Sequence, residues 1–143
     1  MADLLSASGA AVRAADVLLR CAGGRAVMLR MPAPASAADV AEQLGSAVPG
    51  FQDVELAPVA FRAARVRVAE GKAARWELLV SASAVEALVG SLGYSAAAVL
   101  FAEAFGVLVD GVLMTVESAT ESEIGGAPYV YRLMLRAPIA AAV

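Results

Sequence analysis

Three carboxylates, Glu117, Glu121 and Glu123, stand at odd-numbered positions in the stretch "VESATESEI", so an extended chain would set all three on one face. Such a trio could hold a hard cation such as Ca²⁺ through oxygen ligands. The spacing matches no Asp-rich calcium loop, however, and a solvated hairpin tip accounts for it without a metal. A second group, Arg62, Arg65, Arg67, Lys72 and Arg75, could form a phosphate patch. These residues alternate with apolar ones and lie among Glu70 and Glu77, which reads more simply as the solvent-facing side of a sheet meeting an acidic partner. The forked guanidinium suits salt bridges between subunits better than an ammonium would.

Little other chemistry is offered. Histidine is absent and Cys21 is the single cysteine. The chain therefore cannot form an internal disulfide or a thiolate metal cluster, and it lacks the usual neutral-pH base and the base of a Ser-His-Asp arrangement. Carboxylate, Lys or Tyr chemistry remains. The paired glycines of "RCAGGR" and "EIGGAPY" fit neither a Walker nor a dinucleotide fingerprint, which need a strand, a set glycine spacing and a following helix. Cys21 reads as a buried small hydrophobe, and Tyr94, Tyr129 and Tyr131 as core or interface aromatics. No catalytic residue, cofactor or metal is expected, and the chain is not expected to be an enzyme.

A net charge of −3 and a pI near 4.9 argue against general adhesion to nucleic acid. The 60 % hydrophobic content raises the question of a membrane. The longest uncharged run, Ala87 to Ala102, falls short of the roughly 18–20 residues a spanning helix needs. Asp3 stands where a signal peptide would be basic, and Arg13 and Asp16 interrupt the apolar stretch behind it, so a bacterial cytoplasmic setting with no membrane partner is expected.

The elements that must position these residues follow from periodicity. Helical spacing of Leu4, Leu5, Val12, Ala15, Leu18 and Leu19 predicts an amphipathic helix from Asp3 to Cys21, stopped by Gly23 and Gly24. Arg25 to Met31 alternates as a strand. The segment Pro32–Asp53 reads as a long loop carrying a short helix from Ser36 to Gly45. Val54 to Val68 reads as a strand with an irregularity at Ala63 and Ala64, and Trp76 to Ser81 as another with Trp76, Leu78 and Val80 on one side. Ser83 and Ser95 are expected to cap helices reaching Val89 and Phe105, the second burying Val99, Leu100, Phe101 and Phe105.

The Asp110-Gly111 pair between apolar flanks predicts a tight hairpin joining Val107–Val109 to Val112–Ser118. A second hairpin, its tip over Glu121 to Pro128, leads to Tyr129–Arg136. That last strand puts Tyr129, Tyr131, Leu133 and Leu135 on one face and Val130, Arg132, Met134 and Arg136 on the other. With apolar groups on both faces, it needs cover from both sides. The expectation is a single α+β domain: a small, mostly antiparallel β-barrel or sandwich of about six strands, with an N-terminal helix and one to three short helices.

The tail "AFGVLVDGVLMTVESATESEIGGAPYVYRLMLRAP" resembles the closing part of head-to-tail connector proteins of tailed bacteriophages, which end in a strand, a D-G turn, a strand like "LMTV" and a return strand ending in "LMLR". The stretches "APVAFRAARV" and "WELLVSASAVEALVG" resemble an earlier strand pair of those proteins, so the likeness covers roughly Val54 to Pro138. It implies a head-completion or stopper-type structural protein of a phage or a phage-like particle such as a gene transfer agent. Copies would pack as a ring, commonly a hexamer, between portal or adaptor and tail proteins, and double-stranded DNA would pass through without adhering.

On that reading Tyr129, Tyr131, Arg132, Arg136, Arg62 and Arg65 are candidates for subunit contacts. Glu117, Glu121 and Glu123, or acids of the Pro32–Asp53 segment, are candidates to face the channel, and that segment would gate or dock. The alternatives are an assembly module outside phages and a small barrel isomerase or cyclase working through carboxylates or tyrosines in an enclosed cavity.

Overall fold

The structure, a computed structural model, describes residues 2–33, 50–63 and 75–138, with side chains from residue 9 onward. The helix expected at Ser36–Gly45, and with it Ala64, Arg65, Arg67 and Lys72, lie outside the described residues. In chain order the elements are α1 (Ala2–Cys21), β1 (Arg25–Pro32), β2 (Phe51–Ala63), β3 (Arg75–Ser81), α2 (Ala82–Leu92), α3 (Ala97–Glu103), β4 (Gly106–Val109), β5 (Val112–Ile124) and β6 (Ala127–Arg136). The six strands close into an antiparallel barrel in the order β1-β2-β3-β6-β5-β4, as the alternating patterns predict.

Period-two alternation fills the barrel. Val27, Leu29 and Met31 of β1, Leu56 and Val59 of β2, and Leu78 and Val80 of β3 point inward, as do Leu133 and Leu135 of β6; all are buried. At one end Phe61 stacks on Trp76 with ring centroids 4.9 Å apart. At the other, α2 and α3 cover the core with Ala82, Val85, Leu100 and Phe101, and Phe101 tilts against Tyr131. No single described helix is long and apolar enough to cross a membrane.

Local chemistry moves several boundaries. Phe51, Gln52 and Asp53 belong to β2, because they pair with Pro32, Met31 and Arg30 of β1. Of the irregularity expected at Ala63 and Ala64, the part at Ala64 lies outside the described residues, and β2 has one earlier: the β1–β2 register skips between Val27↔Leu56 and Arg25↔Val59, where Pro58 has no N–H to give the ladder. Ala63 pairs in regular register with Trp76. Helix α2 begins at Ala82, so Ser83 sits inside its first turn instead of capping it. The residue before it, Ser81, caps nothing with its side chain either, because its hydroxyl donates to the Asp16 carboxylate of α1, a charged acceptor.

Helix α3 follows Ala96, one residue past the expected Ser95, and ends at Glu103. Only Leu100 and Phe101 of its expected apolar edge are buried. Val99 is exposed, since seven residues make two turns and present one narrow stripe, and Phe105, exposed too, lies beyond the helix end. The Asp110-Gly111 turn is as predicted, both residues at positive φ. The second hairpin runs further than its polar composition suggests: pairing continues to Ile124↔Ala127, and the turn is Gly125-Gly126, again both at positive φ.

Candidate functional site

Each arginine on the barrel strands is paired with an acid. Arg30 grips Asp53 with two hydrogen bonds of 2.9 and 3.1 Å, and Arg25 pairs with Asp110 across the barrel end. Glu77 lies on the outer face of β3, beside Arg62 in register, and its Oε1 accepts from Arg62 Nη2 at 2.9 Å and Arg132 Nε at 2.8 Å. Glu117 of β5 takes Arg75 at 3.3 Å and Arg136 at 3.8 Å. Two carboxylates, each shared by two arginines from different strands, thus tie the outer face together across β2, β3, β6 and β5.

Glu77 is the most enclosed of these acids, its side chain 8 % exposed. The hydrogen bond from Arg62 holds its carboxyl below the ordinary value of 4.5 against the opposing effect of burial, and Arg132 adds to the lowering. A lowered native pKa means that the ionised group stabilises the fold above the unfolded carboxylate range. That contribution disappears as pH falls through the native value. Glu77→Gln is expected to cost about 1–3 kcal/mol at neutral pH, tempered by solvent around two half-exposed arginines, and to flatten the loss of stability below about pH 4.5. Urea unfolding at stepped pH checks both effects.

The acidic trio does not share a face. Val116 pairs with Leu135 and Ser118 with Met134, so Glu117 is the extra residue of a bulge and turns outward to its arginines. Beyond the bulge the phase is reversed: Glu121 sits opposite Tyr131, and Glu123 lies next to Glu121 on that other side. A hydrogen bond with Glu121, and its charge, raise the Glu123 carboxyl above its usual range. Neither has a cationic partner among the described residues, and no group of three acidic side chains there converges as a metal site. The parity argument fails because a bulge is invisible to counting.

The other candidates divide. Arg62, Arg132 and Arg136 lie on the outer face with side chains half exposed, and Arg65 lies outside the described residues. Tyr129 is half-buried, the unpaired residue of a second irregularity between Ser122↔Val130 and Glu123↔Pro128. Tyr131 is a core residue, 5 % exposed, its hydroxyl 3.3 Å from Glu86 of α2, so it is withdrawn from the candidate interface. Burial, then the charges of Glu86 and Glu121, push its phenol far above the ordinary range.

The cover that β6 needs on its outer face comes in part from the chain itself. Helix α1 packs against β6, β2, β3 and β5, burying Ala15 and Leu19. It is pinned where the Asp16 carboxylate accepts from Ser81 and, at 3.0 Å, from Ser83. Sequence reasoning finds the helix but misses the pin, which joins residues 65 apart. It also misses a flank on the other side of the barrel, where the outward positions of β2, β1, β4 and β5 align as Glu55, Met28, Leu108 and Leu113. Parity about the Asp-Gly turn could have placed Leu108 opposite Leu113.

Comparison with protein-family models, with curated proteins and with solved structures finds no match to the chain.

Proposed function

We propose that the chain is a structural protein of the head-to-tail junction of a tailed phage or phage-like particle, of the head-completion or stopper type, with copies forming a ring, commonly a hexamer, between portal or adaptor and tail. The observation that carries the reading is the charge arrangement of the barrel. Each of its six described strand arginines is engaged by an acid of the chain, four of them sharing Glu77 and Glu117, while Glu121 and Glu123, on the exposed part of the β5–β6 hairpin, have no cationic partner among the described residues. A wall built this way ties its described strand guanidinium groups to carboxylates and presents two acids at the hairpin that repel phosphate, as suits a conduit for double-stranded DNA. The likeness of the closing segment to connector proteins supports the same reading.

Within that ring Glu121 and Glu123 face the channel, and Glu117, tied to Arg75 and Arg136, serves as a brace between strands. The double variant Glu121→Lys, Glu123→Lys is expected to assemble normally and to lower DNA delivery by about tenfold or more, because each lysine adds a phosphate contact where none should form. Delivery is counted as transductants per assembled particle. Electron microscopy of those particles should place the hairpin on the inner rim. Unchanged delivery with the hairpin on the outer rim would overturn the channel assignment, and absence of the chain from particles made by its host would overturn the function.

A further inference from the structure

Helix α1 has a second apolar face. One side meets the barrel through Ala15 and Leu19, but Val17, 59 % exposed, lies on the opposite side, and Leu18, 69 % exposed, lies on the helix's flank between the two. Arg13, Val17 and Arg20 follow one another at helical spacing, so the exposed stripe carries a cation about one turn to either side of Val17. Neither arginine has an ion-pair partner among the described residues, in contrast to those of the strands. An amphipathic helix pinned by one face should be polar on the other, and this one is not.

The barrel has a flank of opposite character. Along the outer row Glu55, Met28, Leu108 and Leu113, the two central side chains are half-buried and the outer two are exposed. Gly106, beside this row on β4, is buried under the Leu113 side chain, which its lack of a Cβ lets lie close to the strand. Glu55 has no ion-pair partner among the described residues, and α1 makes its barrel contacts mainly on β6, β2 and β3. The flank is therefore a flat apolar strip with a free acid at one end, and α1 offers an apolar strip with free bases at its edge.

We propose that the outer face of α1 of one copy seats on the Glu55–Met28–Leu108–Leu113 flank of the next copy, with Arg13 or Arg20 meeting Glu55. The contact repeats between copies the helix-on-sheet packing that α1 makes within one. Donor and acceptor surfaces are different patches of the same chain, so the contact is heterologous and propagates head to tail, closing into a ring where the rotation permits. It rests on the ring reading for closure and supplies the subunit contact that reading needs.

Two variants test it by sedimentation velocity of the purified full chain. Val17→Asp disables the helix face and Leu113→Asp disables the flank, both at exposed positions that leave the core intact. Each alone is expected to be monomeric at concentrations where the unaltered chain associates, and their equimolar mixture to form a 1:1 dimer that grows no further, because one intact donor meets one intact acceptor. Glu55→Arg is expected to weaken association about tenfold, and adding Arg13→Glu with Arg20→Glu to restore most of it. Circular dichroism on each variant separates misfolding from lost contact. If the unaltered chain assembles and neither aspartate alters it, this contact is wrong while the ring reading stands. If the unaltered chain stays monomeric at all concentrations and in its native particle, both fail. A mixture that does not dimerise overturns the heterologous geometry.

Discussion

Leu100→Ala is expected to lower the unfolding free energy by about 2–5 kcal/mol, while Val99→Ala, one residue earlier, stays within about 0.5 kcal/mol. Leu100 is fully buried in the cluster that α2 and α3 form over the barrel end; Val99 on the same helix turns to solvent. Helix α3 has seven residues and no side-chain cap, too short to persist on intrinsic propensity. Its place depends on Leu100 and Phe101. Removing the leucine opens a cavity against a rigid strand wall, which cannot collapse as a loop would, so the upper part of the range is expected. Guanidinium unfolding followed by Trp76 fluorescence measures the midpoint. A Leu100→Ala cost below about 1 kcal/mol would mean that the helices are not part of the barrel core.

The contrast between Val99 and Leu100 marks the limit of what the sequence makes legible. That a helix lies there, and that it is amphipathic, follow from spacing along the chain. Which of its large apolar residues are buried depends on where a seven-residue helix crosses a barrel mouth formed by strands distant in sequence. Local signals held well: Asp110-Gly111 turns the chain as its composition demands, and the alternation of β1, β3 and β6 gives the barrel interior directly. Signals that depend on accumulated register failed. Glu117 was placed beside Glu121 by parity, and a bulge that lets β5 turn from β4 to β6 reversed it. The run "TESE" resembled a loop because it is polar throughout, yet it continues as a strand whose faces need no core, with the glycine pair behind it as the true turn. Along the chain Glu77 reads only as an acid among bases, and its position between Arg62 and Arg132 needs three strands to be seen.

The assembly contact has the same character. The spacing of Leu4, Leu5, Val12, Ala15, Leu18 and Leu19 reads as an amphipathic helix, and the exposed Val17 on its far side is not part of that reading. What no pattern along the chain reveals is that, among the described residues, α1 covers the β3–β6 side of the barrel and no helix covers the β1–β4 side. That asymmetry gives a single small domain both a donor and an acceptor surface, the minimum a ring of identical subunits requires. It also separates assembly from the hairpin, so on the present proposal the acids that face DNA lie outside the subunit contact, and Glu117, which braces strands through Arg75 and Arg136, is not among them.

Gly106→Ala is expected to be more damaging than any other single-methyl addition among the described residues. A Cβ at Gly106 would lie 2.4 Å from the main-chain carbonyl oxygen of Met114 and 3.0 Å from Leu113 Cδ1. The oxygen cannot move aside, because Met114 is held in the β4–β5 ladder opposite Val107, and Gly106 itself pairs with Arg30 on the other side. Relief requires β4 to part from β1 or β5, and β4 is only four residues long. Overpacking ordinarily costs about 1–3 kcal/mol, and a fixed backbone neighbour puts this site at or above the top of that range. Gly90→Ala supplies the opposite sign. Gly90 lies within α2 with nothing within 4 Å of the added carbon, so alanine is expected to stabilise the chain by about 0.5–1 kcal/mol through helix propensity. Thermal unfolding of the two variants beside the unaltered chain decides the matter: Tm should fall for Gly106→Ala and rise for Gly90→Ala. A Gly106→Ala variant as stable as the parent would mean that β4 does not close the barrel, and the flank built on Met28, Leu108 and Leu113 would lose its foundation with it.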